Sequence, residues 1–159
     1  MSDPTEDSIW RPVRLLLSRM DDDIARLYAG TEIKPTYVME LLRLHFLGPM
    51  TIRELAESVH RTHSALSQKV AAMKAAGLVE VTKGADARSK KVTLTPAATA
   101  MVGRLAAEWR ATEAAAVELE AELPYPLSRV IADMEAALSR RSFHDRIAAR
   151  LAEDPAWQR

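Results

Sequence analysis

Between Gly48 and Pro96 the chain is punctuated so closely that few arrangements can satisfy it. Thr51 and Glu54 stand at the spacing of a capping box, in which each side chain satisfies a free backbone N–H at a helix start. Ile52, Leu55, Ala56 and Val59 then give a short helix one apolar face. Only His60 and Arg61 separate it from Thr62, a second N-cap residue. Leu66, Val70 and Met73 supply the inner face of the next helix, and Gly77 closes it. Leu78 to Lys83 and Lys91 to Thr95 read as paired strands, the second with Val92 and Leu94 on one face and Thr93 and Thr95 on the other. The loop that joins them contains Gly84, a residue suited to a turn.

Two short helices at a tight turn, followed at once by a hairpin, have the layout of a helix-turn-helix with a wing. The expected fold class is therefore mostly α with a small β-hairpin wing. The flanking segments extend it. Ile9, Val13, Leu16, Leu17, Met20, Ile24 and Leu27 recur at helical steps, with Asp7 or Ser8 placed to cap and Gly30 to stop. Pro35 opens a second helix, apolar nearly all round and expected to be buried, with Val38, Leu41, Leu42, His45 and Phe46 on one face. Pro96 starts a long helix to about Leu123. After the Pro124-Tyr125-Pro126 break, one further helix is expected, with Val130, Ile131, Met134, Leu138, Ile147 and Leu151 in register. The division expected is a tail and helix at 1–34, a winged helix-turn-helix at 35–96 and long C-terminal helices at 97–159.

The chain has no net charge, which argues against indiscriminate polyanion binding. The zero conceals a segregation. From His60 to Thr95 seven cations face two acids, whereas from Glu113 to Glu135 six acids face Arg129 alone. One basic working face is implied. On the second helix of the motif, the positions opposite Leu66, Val70 and Met73 include His63, Ser64, Ser67 and Gln68, flanked by Lys69 and Lys74. Short polar groups of this kind reach base edges, and lysines meet phosphates. Thr62 and the turn residue Arg61 belong to the same candidate surface. In the wing, Arg88, Lys90 and Lys91 are the candidate DNA contacts, and Asp86 is placed to orient Arg88 through a charge-assisted hydrogen bond.

Other classes of function find less support. With no cysteine, disulfides, thiol catalysis and cysteine-based sensing are excluded. Neither a G-x-S-x-G elbow nor a glycine-rich phosphate loop occurs, so no enzyme is expected and no cofactor is implied. His60 and His63 straddle a helix start with no third ligand at hand, so no metal site is assigned and a histidine-based metal sensor is a lesser alternative. The other alternative is a winged helix whose basic face binds an acidic protein. No apolar run approaches the ~20 residues of a membrane span. The first ten residues lack the apolar core of an export signal, which makes the cytoplasm the expected compartment.

ELAESVHRTHSALSQKVAAMKAAGLVEV followed by DARSKKVTLT resembles the MarR family of bacterial transcription regulators. Asp86, Arg88, Val92, Leu94 and Thr95 match the family's wing pattern in order, and Gly77-Leu78-Val79 matches the step into it. His60 and Arg61 depart from it, standing where the family often has glycine and an apolar residue. The likeness covers about residues 30 to 100 by motif. It implies a homodimer whose terminal helices interlock, recognition helices that enter successive major grooves of a pseudo-palindromic operator, and a wing arginine that reaches a flanking minor groove. It also implies release of DNA when a small aromatic or phenolic effector enters a cleft. Tyr37, His45 and Trp109 are the candidates to line that cleft.

Overall fold

The structure, a computed structural model, describes residues 3, 5, 6, 8–83 and 90–157. Asp7, Asp86 and Arg88 lie outside the described residues. The elements are α1 (Trp10–Ala25), a 3-10 turn (Arg26–Tyr28), α2 (Pro35–Leu47), β1 (Met50–Thr51), α3 (Ile52–Ser58), α4 (His63–Ala75), β2 (Val79–Lys83), β3 (Lys90–Leu94), α5 (Pro96–Ala121), α6 (Leu127–Arg140) and α7 (Phe143–Leu151). The chain packs as two compact units, Met1–Thr112 and Glu113–Arg159.

The first unit holds the core. Tyr28, Val38, Leu41, Leu55, Leu66, Met73, Val92 and Leu105 are all buried within one cluster. The helical spacing of Leu66, Val70 and Met73 puts one stripe of α4 into it. The sheet is antiparallel in the order β1-β3-β2. Val81 pairs with Val92, and Met50 pairs with Val92 from the other side. The two-residue strand β1 was not anticipated: Gly48-Pro49 marks a stop, and two residues are too few to show alternation. Thr95 ties the hairpin to its neighbours. Its hydroxyl donates to the Gly77 carbonyl at 2.8 Å and accepts from the Ala98 amide at 3.2 Å, where α5 begins.

Three expectations are revised. The N-cap of α1 is Ile9, with no side-chain cap, so Ser8 does not cap it. In α2 the buried stripe is Tyr37, Val38, Glu40, Leu41 and Leu44, while His45 and Phe46 are exposed. An all-round apolar composition hid which side of the helix faces the core. In the second unit, the single helix expected after Pro126 is two. Arg141 leaves the helical region in extended backbone, and the Ser142 hydroxyl accepts from the Asp145 amide at 3.0 Å to start α7. The apolar register runs on across that break, and a serine cap inside it was overlooked. Neither α6 nor α7 has a buried residue.

Candidate nucleic-acid interface

The candidate surface is built on α3, the turn and α4. The capping box at the head of α3 is complete, with the Glu54 amide donating to Thr51 Oγ1 at 3.1 Å and the Thr51 amide to Glu54 Oε2 at 2.7 Å. The Glu54 carboxyl is held below the usual carboxylate range by the Thr51 amide first, by the Thr51 hydroxyl second and by the charge of Lys91 least. At the far end of α3 the His60 amide donates to Glu57 O at 3.3 Å and the Arg61 amide to Ala56 O at 2.9 Å. That pair of bonds is a Schellman motif, which requires a left-handed residue at its corner. His60 takes that place with φ +52°. The exit from α4 repeats the motif. There Gly77 holds φ +71°, its amide donates to Lys74 O at 3.0 Å, and the Leu78 amide donates to Met73 O at 2.9 Å.

Between these two turns α4 starts on Thr62, whose hydroxyl accepts from the Ala65 amide at 3.2 Å. Arg61, Thr62, His63, Ser64, Gln68 and Lys74 are exposed and Ser67 is half-buried. No acid occurs on α4, so nothing on that helix repels a phosphate. Lys90 and Lys91 are exposed on β3, with Lys90 paired to Lys83 across the ladder. Asp86 and Arg88 lie outside the described residues.

Lys69 departs from the role expected of it. Its Nζ lies 2.6 Å from Glu40 Oε1 and 2.8 Å from the Thr36 carbonyl, so the ammonium is turned inward to α2. Glu40 is the only buried charged residue among those described, at 2% exposure. A lone acid on a largely apolar helix was the signal available in the sequence.

A surface cleft of about 240 Å3 is lined by Met39, Leu42, Arg43, Phe46, Leu47 and Trp109. Of the three residues expected to line an effector cleft, Trp109 lines this one. Tyr37 and His45 are not among the lining residues: Tyr37 is in the core, and His45 is exposed with its ring edge-on to Phe46, centroids 4.9 Å apart. The cause is helical phase, since 39, 42, 43, 46 and 47 share one side of α2 and 37 falls on another. Tyr28, at the end of the 3-10 turn, donates its hydroxyl to Glu108 Oε2 at 2.6 Å; burial first, and that carboxylate second, push its pKa upward. Among the described residues no group of three or more histidine, aspartate or glutamate side chains is arranged to hold a metal ion. His60 occupies the turn and His63 opens α4.

Fold and surface together define a winged helix-turn-helix protein: mostly α, with a small antiparallel sheet carrying the wing. The family model described as HVO_A0114 matches residues 37–98, which span α2 to the start of α5. No curated protein is significantly similar to the chain. Many solved structures of the same fold are MarR-family or related winged-helix transcriptional regulators. The Mycobacterium tuberculosis transcriptional regulator MOSR, crystallised in complex with DNA, is 26% identical with a TM-score of 0.61, over 85% of this chain and 99% of that one. The organohalide-sensing regulator RdhR-CbdbA1625 in its 2,4-dichlorophenol-bound form has a TM-score of 0.68 at 14% identity, over 89% of this chain and 87% of that one. A MarR family protein from Bacillus stearothermophilus has a TM-score of 0.50 at 16% identity, over 93% of this chain and 99% of that one. Among the described residues, no helix is long and apolar enough to cross a membrane.

Proposed function

We propose that the chain is a sequence-specific DNA-binding transcription regulator that acts in the cytoplasm as a homodimer. The observation that carries the reading is the outward face of α4. His63, Ser64 and Gln68 stand exposed on a helix with no acid, anchored from behind by Leu66, Val70 and Met73. The similarity to a regulator crystallised on DNA supports it. In this reading residues 35–96 form the DNA-reading head. Thr62, His63, Ser64, Ser67 and Gln68 meet base edges and the adjacent backbone, while Arg61, Lys74, Lys90 and Lys91 meet phosphates. Arg88, oriented by Asp86, reaches a flanking groove. The free N–H groups and positive dipole end at the start of α4 favour a phosphate there.

Residues 1–34 and 97–159 join two such chains, so that two heads meet the half-sites of a pseudo-palindromic operator. A small aromatic or phenolic effector enters the cleft beside α2, its ring against Phe46 and Trp109 and its acidic group toward Arg43. Binding there favours a spacing of the heads that no longer fits the operator, so the regulator is a repressor released by its ligand. That a structural neighbour was crystallised with 2,4-dichlorophenol supports this class of ligand.

Anisotropy titrations of a duplex chosen by the protein from a random-sequence pool, repeated across salt concentrations, test the reading. The expected result is sequence-selective binding whose affinity falls steeply with salt. Arg88→Ala should lower the slope of log affinity against log salt by about one. Binding without sequence preference would overturn the proposal. A thermal-shift screen of phenolic acids tests the effector arm, with stabilisation by a ligand lost in Trp109→Ala.

A further inference from the structure

We infer that the ion pair between Glu40 and Lys69 is a latch that sets the pose of the recognition helix, so that Lys69 serves DNA binding as a positioning residue and touches no phosphate. The inference rests on the DNA-reading role proposed for α4.

Lys69 lies within the stretch that reads bases, between Gln68 and the core residue Val70. A lysine there would ordinarily be counted among the cations offered to DNA. Here its side chain is only 22% exposed and its partner carboxylate 2% exposed. The ammonium bridges two groups on α2, Glu40 Oε1 at 2.6 Å and the Thr36 carbonyl at 2.8 Å. Thr36 and Glu40 are one turn apart, so the contact fixes both the distance between helices and the rotation of α4 about its axis. Leu66, Val70 and Met73 alone make an apolar contact, which is non-directional and tolerates small rotations.

The pair is costly to maintain. Two charges are withdrawn from water, and Glu40 Oε2 has no hydrogen-bond partner among the described residues. Buried pairs of this kind are often no better for stability than a well-packed apolar pair, and their best-attested role is to specify geometry. A phosphate contact by Lys69 would require the ammonium to leave Glu40, stranding a buried carboxylate. The latch is therefore most consistent with a lysine that stays in place when DNA binds.

The test uses the full chain and a duplex selected by the wild-type protein, with Lys69→Met, Glu40→Gln and the double variant titrated over a range of salt. The latch requires that Lys69→Met and Glu40→Gln each weaken binding by about tenfold, that the salt slope stay at the wild-type value, and that the double variant be no weaker than the worse single one. A slope reduced by about one in Lys69→Met would identify a phosphate contact and overturn the latch. So would unchanged or tighter binding by Glu40→Gln, which frees a cation beside the DNA. Should either single variant fail to fold, the double variant, which strands no charge, decides alone: weaker binding at wild-type slope upholds the latch, and wild-type affinity overturns it. If the wild-type protein selects no duplex, the DNA reading itself fails and the latch with it.

Discussion

His60 and Gly77 hold the same corner in two consecutive Schellman turns, one with an imidazole and one with no side chain at all. A left-handed residue costs an L-amino acid roughly 1–2 kcal/mol, least for those whose side chains tolerate the region, histidine among them. His60→Gly should leave stability unchanged or raise it by up to about 1 kcal/mol, because relief of the corner is partly offset by a freer unfolded chain. His60→Val should destabilise by about 1–2 kcal/mol, since a β-branched side chain fits that corner worst. Thermal or urea unfolding of the two variants checks the pair, and equal effects would show that the corner is not strained. The histidine was visible in the sequence only as a departure from a glycine pattern; its backbone angle was not, because positive φ at a non-glycine residue leaves no periodic trace.

At the scale of elements, α3 is a seven-residue helix that depends on its cap. Two hydrogen bonds from Thr51 and the charge of Lys91 favour the ionised Glu54 carboxylate. Its folded-state pKa is therefore the lower one. The contribution is fully present above the ordinary carboxylate range and is lost as pH falls through the folded value. Glu54→Gln should flatten the acid limb of a stability-against-pH profile while keeping a neutral cap, and superimposable acid limbs would remove the charge from the account. This box, the N-cap of α4 and the Gly77 stop were legible because each is a local residue pattern with a local physical cause. The turn from α6 to α7 was missed because Ser142 interrupts a helix without interrupting its apolar register. Lys69 was assigned to DNA because chain spacing put it at the flank of the outward face of α4, but its partner is 29 residues away. Such long-range pairing is legible only once the fold is built. Tyr37 and His45 lie off the cleft for a related reason: composition marked α2 as apolar, and only packing against α3, β3 and α1 separated the core side from the cleft side.

For the whole molecule, the outstanding fact is apolar surface left open on helices that repeat every three or four residues. In α1, Val13, Leu16 and Leu17 are each about half exposed, at 45%, 53% and 55%, and in α6 the same holds for Val130, Ile131 and Met134, at 43%, 49% and 42%. Monomers rarely leave stripes of this extent uncovered, and the homodimer we propose would cover them. In the dimer we propose, Leu16→Glu and Ile131→Glu should each raise the dissociation constant by more than about tenfold, because fully burying one such side chain is worth roughly 1.5–3 kcal/mol and each substitution occurs twice. Sedimentation at several concentrations reads the equilibrium. Retained helicity would show that the chain still folds, as expected for positions that no intrachain contact buries, and a wild-type protein monomeric at high concentration would refute the assembly.

In the DNA-reading role proposed for α4, the two turns and the inward lysine together separate the helix into letters and frame. Residues 66, 69, 70 and 73 belong to the frame, and its ends are fixed at His60 and Gly77. Residues 63, 64 and 68 carry none of that mechanical duty. A designer wishing to retarget the protein could rewrite those three positions as a small library and leave its mounting untouched. By the same reasoning, diverged copies of such a chain could acquire new operators without first losing the ability to fold.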